Sequence, residues 1–334
     1  MAALSALNPT LLDLAKRMDP DGKIATIVEI LNATNEILDD MTWIEGNLPT
    51  GHRTVVRTGI PTPTWRKLYG GVQPTKSTTR PITAATGMLE AYAEVDKALA
   101  DLNNNAPEFR LSEDMAHIEG MSQEMAQTLF YGNEGSEPEA FTGLSAHYNS
   151  LSAESGANII TGGGSDTDNA SIWLVVWGPR TIHGIVPKGS TAGLQSTDKG
   201  VVTIEDASGG SNTGRMEAYR THYRWDAGLV VRDWRYAVRI ANIDKSALTK
   251  DASSGADLAD LMFQASELVP NLGAGRPVFY MSRRTRTFLR RQVANLTKNS
   301  TLSIENVGGK RIMTFNDIPL KRCDALDADE ALVA

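Results

Sequence analysis

Five histidines, one cysteine and one glycine-rich turn are the residues of this chain with obvious chemistry to offer. His52, His117, His147, His183 and His222 have no partner at metal-ligand spacing such as H-E-x-x-H. Histidines so placed are expected to be structural or solvated. Gly162-Gly163-Gly164-Ser165 is not followed by Lys-Ser/Thr and lies outside a strand–loop–helix context. A phosphate cradle needs both, so this stretch reads as a loop. Asp166-Thr167-Asp168-Asn169 spaces oxygen ligands, yet the other positions of a calcium-binding loop are missing. No G-x-S-x-G elbow occurs. Cys323 follows Lys321-Arg322 on a predicted strand. A nearby cation lowers a thiol pKa, but a buried structural thiol is the expectation. No catalytic, cofactor-binding or metal-binding residue is predicted.

Charge is the feature that stands out. Arg283, Arg284, Arg286, Arg290 and Arg291 crowd one short segment. It reads as a surface for a neighbouring subunit or for DNA, against the alternative of a solvated helix face. Arginines rather than lysines favour planar, paired contacts with a subunit. Residues 51–81 hold six bases (Arg53, Arg57, Arg66, Lys67, Lys76, Arg80) and no acid. Residues 82–140 hold twelve acids against Lys97 and Arg110.

The bulk numbers bound the answer. A chain of 334 residues makes one large domain or two to three lobes. Its 41% apolar and 22% charged content is that of a soluble globular protein. A net charge of −7 argues against a dedicated nucleic-acid binder, though not against a wall that merely encloses DNA. A single cysteine excludes an internal disulfide. The start MAALSALNPT shows no signal peptide. No apolar run approaches the ~20 residues that cross a bilayer. Synthesis and assembly in a cytoplasm are expected.

The elements that must position these charges follow in order. Residues 1–50 read as two short helices on an arm, broken at Asp19-Pro20-Asp21-Gly22. Residues 51–81 read as a long two-stranded hairpin with a loose tip, poor in core residues. Such a hairpin is marginal alone and needs something to lie on. Residues 88–102 read as a strand that becomes a helix. A long helix follows, capped by Ser112, with an apolar stripe at Leu111, Met115, Ile118, Met125 and Leu129. Gly132 fits a left-handed C-cap. Residues 171–177 form a buried strand, 188–215 a long hairpin or loop, and 218–243 strongly β segments with a bend at Asp226-Ala227-Gly228. A helix over 257–269, a strand over 276–281, a helix capped by Ser282, a hairpin turning at Gly308-Gly309 and a closing strand complete the chain. The acidic end DALDADEALVA is expected to fray.

A long amphipathic helix, then FYGN, then P-x-x-F-x-G-L resembles the spine helix and following loop of tailed-bacteriophage major capsid proteins, in their podovirus branch. Encapsulins and herpesvirus capsid floors share that fold. VVWGPRTIHGIVP with WDAGLVVRDWRYAVRIANID is similar to the family's peripheral strands. VFYMSRRTRTFLRRQ and FNDIPLKRCDAL are similar to its axial-domain elements. The resemblance implies an α+β, HK97-like fold: arm (1–50), extended hairpin loop (51–88), peripheral domain with spine helix (89–247) and axial-like domain (248–334). The axial-like elements come last here, which implies a rearranged topology. It also implies a non-enzymatic subunit that assembles with itself, as hexamers and pentamers, into an icosahedral shell around double-stranded DNA. No cofactor and no membrane are implied; a cement protein, scaffold and portal are the further partners. In the family the extended loop reaches over the neighbouring subunit's spine helix. That carries the interface expectation to Arg57, Arg66, Lys67 and Arg80 against Glu113, Glu119 and Glu124, with Arg283, Arg284, Arg286 and Arg290 as a further contact. An encapsulin-like compartment, or an α+β hydrolase of an unrecognised type, are the alternatives.

Overall fold

The computed structural model describes residues 35–102, 106–205, 214–251, 255–295, 302–307 and 310–334. The first expected helix, its break at residues 19–22 and the Gly308-Gly309 turn lie outside them. Among the described residues a helical turn at Ile37–Asp40 precedes β1 (Trp43–Glu45), β2 (Gly51–Gly59), β3 (Thr78–Ala85) and β4 (Gly87–Asp96), then the long helix α1 (Ala106–Tyr131). Next come β5 (Ile159–Thr161), β6 (Asn169–Trp177), β7 (Ile182–Val186), β8 (Gln195–Glu205), β9 (Arg215–Val231) and β10 (Ala237–Asp244). Helix α2 (Leu258–Leu268), β11 (Arg276–Met281), helix α3 (Arg283–Asn295), β12 (Leu302–Val307), β13 (Lys310–Phe315) and β14 (Ile318–Arg322) close it. Contacts divide these into two compact units.

The larger unit holds residues 34–87, 126–190 and 227–334. Its centre is β6, whose nine residues are all buried. A strand covered on both faces needs a continuous apolar run, and Ile172 to Trp177 supplies it. β10 pairs antiparallel on one side (Val238↔Leu174) and β11 antiparallel on the other (Val278↔Val175). β14 then runs parallel to β11 (Phe279↔Leu320), and β13 and β12 follow antiparallel. Strands from either side of residue 247 therefore pair in one sheet. Ile172, Leu174, Val176 and Ile240 pack with Met262 and Ala265 of α2 and Leu289 of α3. Each such buried side chain contributes ~1.5–3 kcal/mol. Trp173 meets Phe130 at 6.2 Å and Tyr148 at 5.7 Å between ring centres.

Local signals explain where the short helices start. The Asp257 carboxylate accepts from the Ala259 and Asp260 amides, both at 3.1 Å, and so caps α2. The Ser282 hydroxyl accepts from the Thr285 amide at 3.2 Å and caps α3. Gln292 ties the two helices together, accepting from the Leu258 amide (3.1 Å) and donating to the Ala256 carbonyl (2.9 Å).

The smaller unit comprises residues 88–125 and 191–226 among those described. β9 lies between β8 and β4, with a register shift in the β8 pairing between Asp198 and Val201. Ion pairs line the sheet: Arg220–Glu94 at 2.5 Å, Arg224–Asp226 at 2.9 Å and Arg110–Asp198 at 2.8 Å. β4 ends in a single helical turn at Lys97–Ala100, where the Asp96 carboxylate accepts from the Ala98 amide at 2.7 Å.

Several expectations change. Helix α1 starts at Ala106, not after Ser112. Pro107 is tolerated in a first turn, and the added turn buries Phe109 against Val95, Leu99 and Ala100. The apolar stripe divides: Met125 and Leu129 are buried, whereas Leu111, Met115 and Ile118 are exposed. Gly132 is not left-handed. It is needed because a Cβ there would lie 2.4 Å from the Phe141 carbonyl oxygen as the next loop folds back. β9 runs through Asp226-Ala227-Gly228 as one strand. Gly228 answers to close approach: its Cβ would sit 2.7 Å from the Ala85 carbonyl oxygen.

The acidic C-terminus does not fray. Leu326 and Val333 are buried, and Asn242 holds the Val333 backbone by two hydrogen bonds of 2.9 Å. Glu330 is buried and accepts from the Arg239 guanidinium at 2.7 Å and from the Tyr131 hydroxyl at 2.7 Å. Lys245 donates to the carbonyls of Asp327 (3.0 Å) and Ala328 (3.1 Å). A charge count of the tail misses all of this, because Asp324, Asp329 and Glu330 pair with Arg283, Lys245 and Arg239 from elsewhere in the chain.

Candidate assembly surfaces

The groups with chemistry are dispersed or silent. His183, on β7, is buried, and its ring stands edge-on to His52 at 5.9 Å. Burial first, then the fields of His52 and Arg232, pushes its pKa down to about 4. Burial also lowers His147. His222 stacks on Tyr92 at 4.5 Å and meets Glu90 at 3.2 Å. Burial pushes the Cys323 thiol up to about 12, so it stays protonated. Among the described residues no group of three or more His, Cys, Asp or Glu is placed to hold a metal ion.

His183 carries an acid liability. Its folded pKa lies below the ordinary 6.5, so acid protonates the unfolded chain first. Its contribution to stability is complete above pH 6.5 and is lost as the pH falls towards 4, at about 1.4 kcal/mol per pH unit. The melting temperature is expected to fall between pH 7 and pH 5. His183→Gln should flatten that slope in melts followed by circular dichroism. An unchanged slope would remove His183 from the acid response.

The hairpin is built to protrude. β2 and β3 pair antiparallel from Gly51↔Ala85 to Gly59↔Thr78. At its root Asn47 mimics a strand residue, its side chain bonding both the amide and the carbonyl of Arg53 at 2.8 Å. Gly51 is required there, since a Cβ would come within 2.2 Å of the Ala84 carbonyl oxygen. Residues 60–77 form the irregular tip. Trp65 and Tyr69 are fully exposed, and Ile60 and Leu68 nearly so. Exposed aromatics beside Arg66 and Lys67 are the composition of an interface anchor rather than of a solvated loop. Arg57, Arg66, Lys67 and Arg80 are all exposed, and among the described residues none meets a carboxylate within ion-pair distance.

In the smaller unit, a groove of 490 Å³ runs between β4 and α1. It is lined by the apolar Leu89, Ala91, Ala116, Gly120 and Met121 and by the polar Glu90, Glu113, His117 and Glu124. The structure thus gathers Glu113 and Glu124 around one cleft and adds Glu90, which the sequence reading left out. Glu119 is elsewhere on the helix, accepting from Gln123 at 2.7 Å.

The arginines of α3 divide by partner. Arg283 pairs with Asp324 at 2.6 Å, and Arg284 donates to the Lys245 carbonyl at 2.9 Å. Arg286 is half-buried and Arg290 exposed. Arg291 lies over the Phe288 ring at 5.2 Å. The sequence reading missed two buried networks. Asp40 receives Lys321 (2.6 Å) and the Tyr280 hydroxyl (2.8 Å), which also accepts from Trp177. Arg239 joins Glu330, Ser171 and the Tyr148 carbonyl. The signal for the second was available, because an arginine inside the apolar run of β10 demands a buried partner.

A family model for "Major capsid protein GP7" matches residues 19–334. A chain of the solved bacteriophage Epsilon15 structure is 40% identical, with all of both chains covered and a TM-score of 0.78. The bacteriophage JBD30 capsid aligns at 8% identity over 89% of this chain and 93% of its own, TM-score 0.47. The SrpI encapsulin of Synechococcus elongatus PCC 7942 aligns at 10% identity over 66% and 91%, TM-score 0.43. Among curated proteins none matches.

Proposed function

Because the chain belongs to the GP7 family of major capsid proteins, we propose that its basic hairpin is the clasp by which one subunit holds the next. The protein is a bacteriophage major capsid protein, part of the virion, and assembles into an icosahedral shell. Full-length identity to a phage relative favours this over a compartment shell or a hydrolase. In the proposed contact the tip, with Arg66 and Lys67, lies on the acid-lined groove of the neighbouring subunit's α1. Arg57 and Arg80 follow along the helix. The observation that carries it is charge complementarity: exposed bases that meet no carboxylate among the described residues, and a cleft lined by Glu90, Glu113 and Glu124. No residue is assigned a catalytic role. The shell encloses double-stranded DNA without reading its sequence, which the net charge of −7 supports. Assembly takes place in the host cytoplasm, with scaffold, portal and a cement protein as further partners.

Salt tests the clasp. The Debye length shrinks from ~10 Å at 0.1 M to ~3 Å at 1 M salt. Sedimentation of purified protein should show shells and capsomers in low salt and a shift to smaller species in 1 M salt. Equal assembly in both would count against an electrostatic contact.

A further inference from the structure

Among the described residues, the arginines of α3 outnumber the carboxylates that pair with them. Arg283, Arg286 and Arg290 recur at three and four residues, so they share one face of the helix. Arg283 is satisfied by Asp324. Arg286 and Arg290 make no side-chain hydrogen bond or ion pair among the described residues. Arg322 of β14 joins them. Its nearest carboxylate is Glu36, at 3.8 Å, too long for a hydrogen bond. Arg286 holds its proton less tightly than an ordinary arginine, through burial first and then the positive fields of Arg322 and Arg290, which the field of Glu36 only partly offsets. Cations crowded in this way are stabilised when an outside anion joins them.

The same unit carries an acidic surface. Glu134, Glu137 and Glu139 are exposed on the loop after α1, and among the described residues no base pairs with them. That loop is tightly folded. The Asn133 carbonyl accepts from the amides of Ser136 (3.0 Å) and Glu137 (2.9 Å), and its side chain accepts from the Gly135 amide (2.9 Å). The Ala140 amide donates to the Glu137 carbonyl at 3.0 Å. Buried Phe141 and the Gly143–Gly132 hydrogen bond of 2.8 Å fix the far end. Carboxylates on a pre-set turn lose little freedom on binding.

Resting on the capsid reading, the geometry points to a head-to-tail contact between copies of this chain, in which Arg286, Arg290 and Arg322 of one subunit receive Glu134, Glu137 and Glu139 of the next. Unlike patches that join copies head to tail close into rings when the rotation allows. Planar guanidiniums suit carboxylates geometrically as well as electrically.

Charge exchange tests the pairing. Arg286→Glu with Arg290→Glu should raise the concentration needed for assembly about tenfold, with an unchanged circular-dichroism spectrum. Glu134→Lys with Glu137→Lys should do the same. All four changes in one chain should recover much of the loss. The pairing is overturned if either double variant assembles like the wild type, or if the combined variant shows no recovery. It is also overturned if the arginine variant forms normal shells that hold less nucleic acid, since the arginines would then face DNA. A wild type that never assembles would overturn the capsid reading and the contact together.

Discussion

Glu330→Ala should destabilise the larger unit by about 3–5 kcal/mol, the cost of leaving a buried charge without its partner. Arg239 and Glu330 are each only 5% exposed. The guanidinium also donates to the Tyr148 carbonyl at 2.7 Å and to Ser171 at 3.1 Å, and it covers the Trp173 ring at 5.3 Å. Without Glu330 the cation keeps only neutral acceptors, and the Tyr131 hydroxyl loses its own. Against a typical total of ~5–15 kcal/mol this is a large fraction. Urea denaturation should show the loss as an earlier midpoint. The double change Arg239→Met with Glu330→Met removes both charges and should be much milder. If Glu330→Ala denatured with the wild type, the buried Arg239–Glu330 pair would not be what holds the C-terminal segment in place.

Arg66→Glu with Lys67→Glu should abolish assembly while leaving the subunit folded. Both side chains are exposed and, among the described residues, make no hydrogen bond or ion pair, so their reversal should cost the fold little. An exposed ion pair contributes only ~0–1 kcal/mol. The proposed clasp would recur at every subunit, however, and reversal would turn its attraction into repulsion against Glu90, Glu113 and Glu124. Such charges set register and partner choice more than raw affinity. Glu113→Lys with Glu124→Lys in the same chain should restore assembly in part. Trp65→Ala probes the apolar half of the contact, because a fully exposed tryptophan that becomes a buried anchor accounts for ~2 kcal/mol or more per site. Normal assembly of the Arg66/Lys67 variant in moderate salt would contradict the clasp.

How far the sequence was legible depends on the range of the interaction involved. Local patterns placed β6, β11, α2, α3 and the hairpin, because burial period, caps and turn residues act over a few positions. Ser282 and Asp257 announce their helices by chemistry that stays within one turn. The start of α1 was misplaced because Phe109 gains its partners from β4 and the turn after it. The fate of the tail was illegible for the same reason. Glu330 is secured by Arg239, 91 residues earlier, and nothing in DALDADEALVA points there. Gly132 was recognised as special, but for the wrong reason. Close backbone approach and positive φ leave the same mark on a sequence. At the surfaces, charge segregation was plain in composition. The groove that gathers Glu90 with Glu113 and Glu124 required β4 to lie against α1.

Chemical cross-linking between subunits tests the central claim most directly. Cys323 is buried with its thiol held protonated, so it offers little background. Lys67→Cys with Glu124→Cys, treated as assembled shells with a short bis-maleimide, should give a ladder of covalent multimers on a denaturing gel. Each single variant should remain monomeric. A double variant that forms shells yet runs only as monomer would contradict the claim that the hairpin of one subunit lies on the spine helix of the next.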